Sequence, residues 1–172
     1  MRDIAPILEH LRATRQKFLA TIASVPDERW QEAPRAGAWS AADVVAHVTL
    51  VERAVNKNAN RILSAPPASM PLHKRLHLPI WISTWRFVRV KTSIPMKAEL
   101  IGDKDMLIAS LTAARKLTTD FLEANRARDL SLYRAPHPFL GNLNLYKWHH
   151  FVAYHEERHR KQIREIVKTS QL

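Results

Sequence analysis

The sequence predicts an all-α fold, a bundle of four helices. Four segments carry apolar residues at helical spacing. The 172 residues include only 3 glycines, too few for the tight turns on which an all-β domain depends. Five prolines lie between the second and third helical segments, where they interrupt helices and leave a long connection. We expect a single domain spanning residues 1–172.

The first two helices have clear boundaries in the sequence. The first is predicted over about Asp3–Val25, and Pro26 ends it because proline cannot continue the hydrogen-bond ladder. The second should begin at Ser40, a good N-cap residue, with Asp43 at the capping-box position three residues later. Its apolar stripe fades near Leu63.

The third and fourth helices follow the long connection. Asp103 is the predicted N-cap of the third helix, whose apolar stripe is centred on Leu107–Phe121. The fourth, from about Asn144 to Lys168, is the most regular, and its inward seam repeats every three or four residues. The members of this seam are Leu145, Trp148, Val152, His155, His159, Gln162 and Ile166.

The connection from Ser64 to Gly102 contains Trp81 and Trp85 within the stretch WISTWRFVRV, whose pattern fits either a short helix or an extended piece. A structureless loop of this length is unusual in a compact domain. We therefore expect the connection to cross the bundle or to cover one end of it.

The chain is basic, with 27 Lys and Arg against 16 acidic residues and a net charge of +11. Such a balance suits nucleic acid or an anionic surface. The positive charge is spread along the chain, however, although it is densest in section 72–97. Because it is so diffuse, a solvated basic surface is favoured over a nucleic-acid partner. No apolar run has the length of a signal peptide or a membrane span, which predicts a cytoplasmic protein without a membrane partner.

His155 and His159 lie one turn apart on the inward seam, so both imidazoles can reach one metal ion. The segment HEERH matches the HExxH pattern of zinc proteases, with Glu156 at the position of the base. The thirteen residues after His159 leave no room for the rest of a zinc-protease site, which argues against that class.

His47 supplies a third imidazole, because it lies on the buried stripe of the second helix between Val44 and Val51. Three buried imidazoles are costly unless each finds partners or all share a metal ion. The alternative is that each histidine is satisfied separately. The sequence lacks cysteine, so we favour a divalent ion held by His47, His155 and His159 with one position open. The other six histidines fall outside this cluster: His10, His73, His77, His137, His149 and His150.

Two stretches, WSAADVVAHVTLVERAV and HPFLGNLNLYKWHHFVAYHEERHRKQIREI, resemble the DinB-like superfamily of bacterial metal-binding four-helix bundles. The resemblance covers residues 1–55 and 101–167. It implies an up-down-down-up bundle with a long crossover between helices two and three, and often a homodimer. In that family, one histidine of helix two and two of the last helix typically hold the metal, which is zinc or nickel. The resemblance implies that His47, His155 and His159 are the matching ligands here.

The resemblance also suggests a metal-dependent enzyme, a hydrolase or a transferase of low-molecular-weight thiols, acting on a small-molecule substrate. Asp43, one turn before His47, is a candidate to orient that imidazole, and Glu156 is the nearest proton carrier in the sequence. The alternative function is a non-catalytic, metal-stabilised binding module for a protein, nucleic-acid or anionic partner. Its support is the basic, tryptophan-containing section 72–97.

Overall fold

A computed structural model describes residues 3–67, 71, 75–85 and 102–169. These residues form four long helices and a short hairpin that leads directly into the last helix. The predicted all-α bundle is confirmed, with the hairpin as an addition. The helices are α1 (Ala5–Ala23), α2 (Ala41–Leu63), α3 (Lys104–Ala124) and α4 (Leu145–Thr169), and the strands are β1 (Arg134–His137) and β2 (Gly141–Asn144).

The predicted caps set the starts of α2 and α3. Ser40 Oγ accepts a hydrogen bond from the Asp43 backbone N–H at 3.1 Å, and Asp43 Oδ2 accepts one from the Ser40 N–H at 2.9 Å, which completes a capping box. The Asp103 carboxylate accepts a hydrogen bond from Met106 N–H at 2.7 Å. These side chains satisfy backbone donors that have no partner inside their own helix.

The helices pack pairwise around a common core. Helix α1 lies along α4, α2 lies along α3, and α2 also contacts α4. One apolar cluster includes Phe18, Leu111 and Ile163, and a second includes Leu11 and Leu122. None of the described helices combines the length and the hydropathy that crossing a bilayer requires.

A closed set of buried ion pairs, here called the charge ring, joins all four helices. Arg15 of α1 donates to Glu156 of α4 at 2.6 Å and to Glu52 of α2 at 2.8 Å. Arg115 of α3 donates to Glu52 at 2.7 Å and to Glu156 at 3.1 Å. Each guanidinium also donates to a main-chain carbonyl on the helix of the other arginine. No side chain of the ring is more than 10% exposed. These buried ion pairs fix the positions of the four helices relative to one another along their axes.

The hairpin anchors part of the long connection. Gly141 has a φ of 86°, and a Cβ on it would lie 2.7 Å from the Leu76 carbonyl oxygen, so this close approach requires glycine. Leu78 N–H donates to Leu140 O at 2.9 Å, and a 3₁₀ helix, Ile80–Thr84, then contacts α4. Where it is described, the connection therefore packs against the hairpin and α4. The second half of WISTWRFVRV and most of section 72–97 lie outside the described residues.

Candidate metal centre

Three histidines from two helices meet between α2 and α4. His47 comes from α2, and His155 and His159 come from successive turns of α4. One ring nitrogen from each lies within 4.8 Å of the other two, and the Nε2 atoms of His155 and His159 are 3.2 Å apart. The side chains that the helical spacing selected are thus brought together.

The rings of His159 and His47 both have features expected of metal ligands. Nδ1 of His159 donates to Gln162 Oε1 at 2.9 Å, which places the ring hydrogen there and leaves the Nε2 lone pair facing His155. Nδ1 of His47 is buried and has no hydrogen-bond partner within the described residues. A buried polar atom without a partner is costly, and its presence beside two other imidazoles indicates a group that the three would share.

Two of the three imidazoles, those of His47 and His155, are neutral at ordinary pH. Burial lowers the pKa of His47 from 6.5 to about 4. Burial also lowers the pKa of His155 well below its usual value, and the nearby imidazoles of His159 and His47 lower it further. Neutral imidazoles keep free lone pairs, so His47 and His155 each offer a nitrogen ligand near neutral pH.

Aromatic rings enclose the cluster. Trp39 lies 4.8 Å from His47 and 6.2 Å from His159 between ring centroids, stacked on the latter. Phe151 lies 5.3 Å from His155 on the side that leads to the hairpin. His155 stays partly exposed while His47 and His159 are buried, so solvent reaches the cluster from the His155 side.

The two carboxylates suggested as helpers of the site have other roles. Asp43 completes the capping box of α2 with Ser40, and it makes no hydrogen bond to Nδ1 of His47. Glu156 is fully buried and accepts hydrogen bonds from Arg15 and Arg115 in the charge ring. It is directed away from the histidines because successive helical residues differ by about 100° in direction. Neither carboxylate is a proton carrier for the cluster.

The other described histidines lie outside the cluster, as predicted, but one of them is not at the edge of the bundle. His10 and His150 face each other with their Nδ1 atoms 3.3 Å apart, and His77 accepts a hydrogen bond from Lys147. His149 is 0% exposed and stacks on Phe121. Helix α4 is packed by α1 and α2 together, so its buried surface is wider than the single seam that the sequence pattern indicated. His73 lies outside the described residues.

The burial of His149 predicts acid sensitivity of the metal-free protein. Its Nδ1 donates to Leu145 O at 2.6 Å, and burial lowers its pKa to about 4. Between pH 6.5 and about 4, His149 is protonated in the unfolded chain but stays neutral in the folded protein. The free energy of unfolding therefore falls as the pH is lowered. We expect His149→Asn to reduce this slope by up to ~1.4 kcal/mol per pH unit. Urea unfolding at several pH values measures the slope, and parallel curves for the two proteins would contradict the assignment.

The donor set suits a divalent ion. Three neutral nitrogens within reach of one point are a known ligand set for zinc and for other first-row divalent ions, and they leave a coordination position open. The orphaned Nδ1 of His47 and the fixed tautomer of His159 both agree with such an ion.

Comparisons with known proteins agree with this architecture. A Bacillus subtilis (strain 168) protein described as "Uncharacterized protein YuaE" is 23% identical over 148 residues, which cover 84% of this chain and 87% of that protein. A solved structure described as "Crystal structure of TT2238, a four-helix bundle protein" matches with a TM-score of 0.61 at 21% identity, covering 95% of this chain and 99% of that one. At this identity the structural match supports the fold alone. The family model of the DinB superfamily matches residues 10–163, and the chain belongs to the DinB superfamily.

Proposed function

We propose that the chain binds one divalent ion, zinc or nickel, through His47, His155 and His159, and that it is a metal-dependent enzyme acting on a small molecule. The observation that carries the proposal is the convergence of one ring nitrogen from each of the three histidines within 4.8 Å of one another. An ion held by three neutral ligands keeps its full double charge.

The surrounding side chains have defined tasks in this proposal. Gln162 holds the His159 ring in the tautomer that offers Nε2. Trp39 packs against the rings of His47 and His159, and Phe151 forms an apolar wall beside His155. A bound divalent ion supplies Lewis acidity, which activates an oxygen or sulfur nucleophile or polarises an acceptor oxygen. The two apolar rings reduce the contact of the cluster with water, which strengthens electrostatic interactions there.

Metal content tests the first half of the proposal. Protein equilibrated with zinc or nickel and then desalted should retain close to one ion per chain by elemental analysis. A His155→Ala/His159→Ala variant gives the background from exposed histidines. Wild-type protein that retains no ion, and takes up none when titrated with zinc, nickel or cobalt, would overturn the proposal.

Two reaction classes fit the site, and one experiment separates them. Cobalt-loaded protein is titrated with 2-mercaptoethanol and, separately, is assayed with and without the metal for hydrolysis of an ester. A thiolate-to-cobalt absorption band at low thiol concentration supports transfer of a low-molecular-weight thiol. Ester hydrolysis that requires the metal, without a thiolate band, supports the hydrolase.

A second candidate function, a non-catalytic binding module, is favoured by one observation. The described part of the connection exposes four large apolar side chains: Leu76, Leu78, Trp81 and Trp85. Trp81 and Trp85 contact each other edge to face at 5.3 Å. Salt-sensitive binding of a single-stranded oligonucleotide that Trp81→Ala weakens would support this function. A second copy of the chain is another partner for this surface, and the homodimer stays a prediction.

A further inference from the structure

The hairpin places a fourth imidazole against the aromatic ring that contacts His155. His137 ends β1, and its ring packs edge to face on Phe151 at 4.5 Å and against Trp148 at 5.1 Å. Phe151 is also the ring that contacts His155. A single aromatic ring therefore separates His137 from His155.

Backbone hydrogen bonds fix the tautomer of His137. The N–H groups of Phe139 and Leu140 both donate to its Nδ1, each at 3.2 Å. Nδ1 therefore carries a lone pair, and the ring hydrogen is on Nε2. Adding a proton at Nδ1 would oppose two N–H donors, and burial already lowers the pKa of His137 to about 4. The ring is thus held as a neutral donor.

The donor end of this ring is unused. Within the described residues Nε2 of His137 has no hydrogen-bond partner, while three aromatic rings, those of Trp148, Phe151 and Phe139, hold the imidazole in place. A rigid donor beside a ligand site resembles the preorganised donors that enzymes direct at substrate oxygens.

We propose that His137 is a positioning residue: its Nε2–H donates to an acceptor oxygen of the small molecule that binds at the His47, His155 and His159 centre. The proposal rests on the proposed metal site. It also defines a ligand class. The ligand has a metal-binding group at one end, an apolar middle that lies along Phe151, and a carboxylate or carbonyl oxygen at the other end. Because His137 can donate there but not accept, a hydroxyl or amine hydrogen in that position is disfavoured.

Histidine NMR tests the tautomer without any metal. The ¹⁵N shifts of His137 in metal-free protein should report the Nε2–H form from pH 7 down to about 5. The partly exposed His10, His77 and His150 provide internal comparison. A protonated ring or the Nδ1–H tautomer near neutral pH would overturn the proposal.

Ligand affinity tests the position. Cobalt-loaded protein is titrated, by its visible spectrum, with dicarboxylates from malonate to adipate and with monocarboxylates of matching length. For at least one length the dicarboxylate should bind about tenfold or more tightly, as a hydrogen bond to a charged group predicts. His137→Asn keeps an acceptor for the two backbone N–H groups but lacks the distant donor. It should abolish the preference, leaving cobalt and monocarboxylate affinities within about twofold.

The outcomes separate the two proposals. A protein that binds no cobalt overturns the proposed function and this inference with it. A protein that binds cobalt and monocarboxylates, but shows no dicarboxylate preference at any length, overturns the role of His137 alone. The same holds if His137→Asn keeps the preference. His150→Asn, a change on α4 outside the cluster, is the matched control and should bind both classes like wild type.

Discussion

Replacing His47 with alanine should reduce metal affinity by well over ~100-fold, although His47 is more than a hundred residues from the other two ligands in the chain. Removing an outer hydrogen-bond partner of a ligand typically costs ~10–100-fold, and loss of a ligand costs more. His155→Ala should have a similar effect. An i, i+4 pair alone leaves two-point attachment, whereas the third imidazole fixes the geometry.

The fold should survive the loss of His47. Its Nδ1 is buried without a partner in the described structure, so its removal also removes an unfavourable group. We expect the free energy of unfolding of the metal-free protein to change by only ~1 kcal/mol. Circular dichroism and urea unfolding measure this, while isothermal titration with zinc measures the affinity.

Two further variants calibrate the measurement. Gln162→Ala should weaken binding by ~10–100-fold, because it frees the His159 tautomer without removing a ligand. His150→Ala changes a half-buried histidine of the same helix and should leave affinity unchanged. It is a cleaner control than His149→Ala, which would open a cavity beside Phe121. Equal affinity in wild type and His47→Ala would mean that α2 does not contribute to the site.

The convergence of the histidines was predictable because it depends on helical periodicity. His155 and His159 share a seam with Trp148 and Val152, and His47 lies on a stripe of valines. The caps at Ser40 and Asp103 were predictable for a similar reason, since both are local side-chain to backbone interactions.

Long-range pairing explains what the sequence did not reveal. Arg15 and Arg115 each follow an inward leucine by four residues, so both lie on apolar stripes. Charged residues at such positions are usually assigned to the surface, and only the assembled bundle shows that Glu52 and Glu156 neutralise them. The hairpin was not predicted because its four-residue strands carry no alternating pattern. The role of His137 depends on hydrogen bonds from the Phe139 and Leu140 N–H groups, which only the folded hairpin brings to its ring.

Breaking the charge ring should destabilise the protein more than any other single change that we describe. Arg15→Met leaves Glu52 and Glu156 with one guanidinium between them, and an uncompensated buried charge costs about 3–5 kcal/mol. That loss is a large part of the ~5–15 kcal/mol that stabilises a typical domain. Urea unfolding of the metal-free protein measures it.

A matched control, Arg12→Met, lies on α1 like Arg15, and a rescue variant adds a change at Glu156 of α4. Arg12→Met removes an exposed guanidinium that pairs with Glu9, and it should leave the free energy of unfolding nearly unchanged because solvent screens such a pair. Adding Glu156→Gln to Arg15→Met restores charge balance, so the double variant should recover stability relative to Arg15→Met. The two effects would then be non-additive, as expected for groups in one network. Equal losses for Arg15→Met and Arg12→Met would show that the ring does not hold the four helices together.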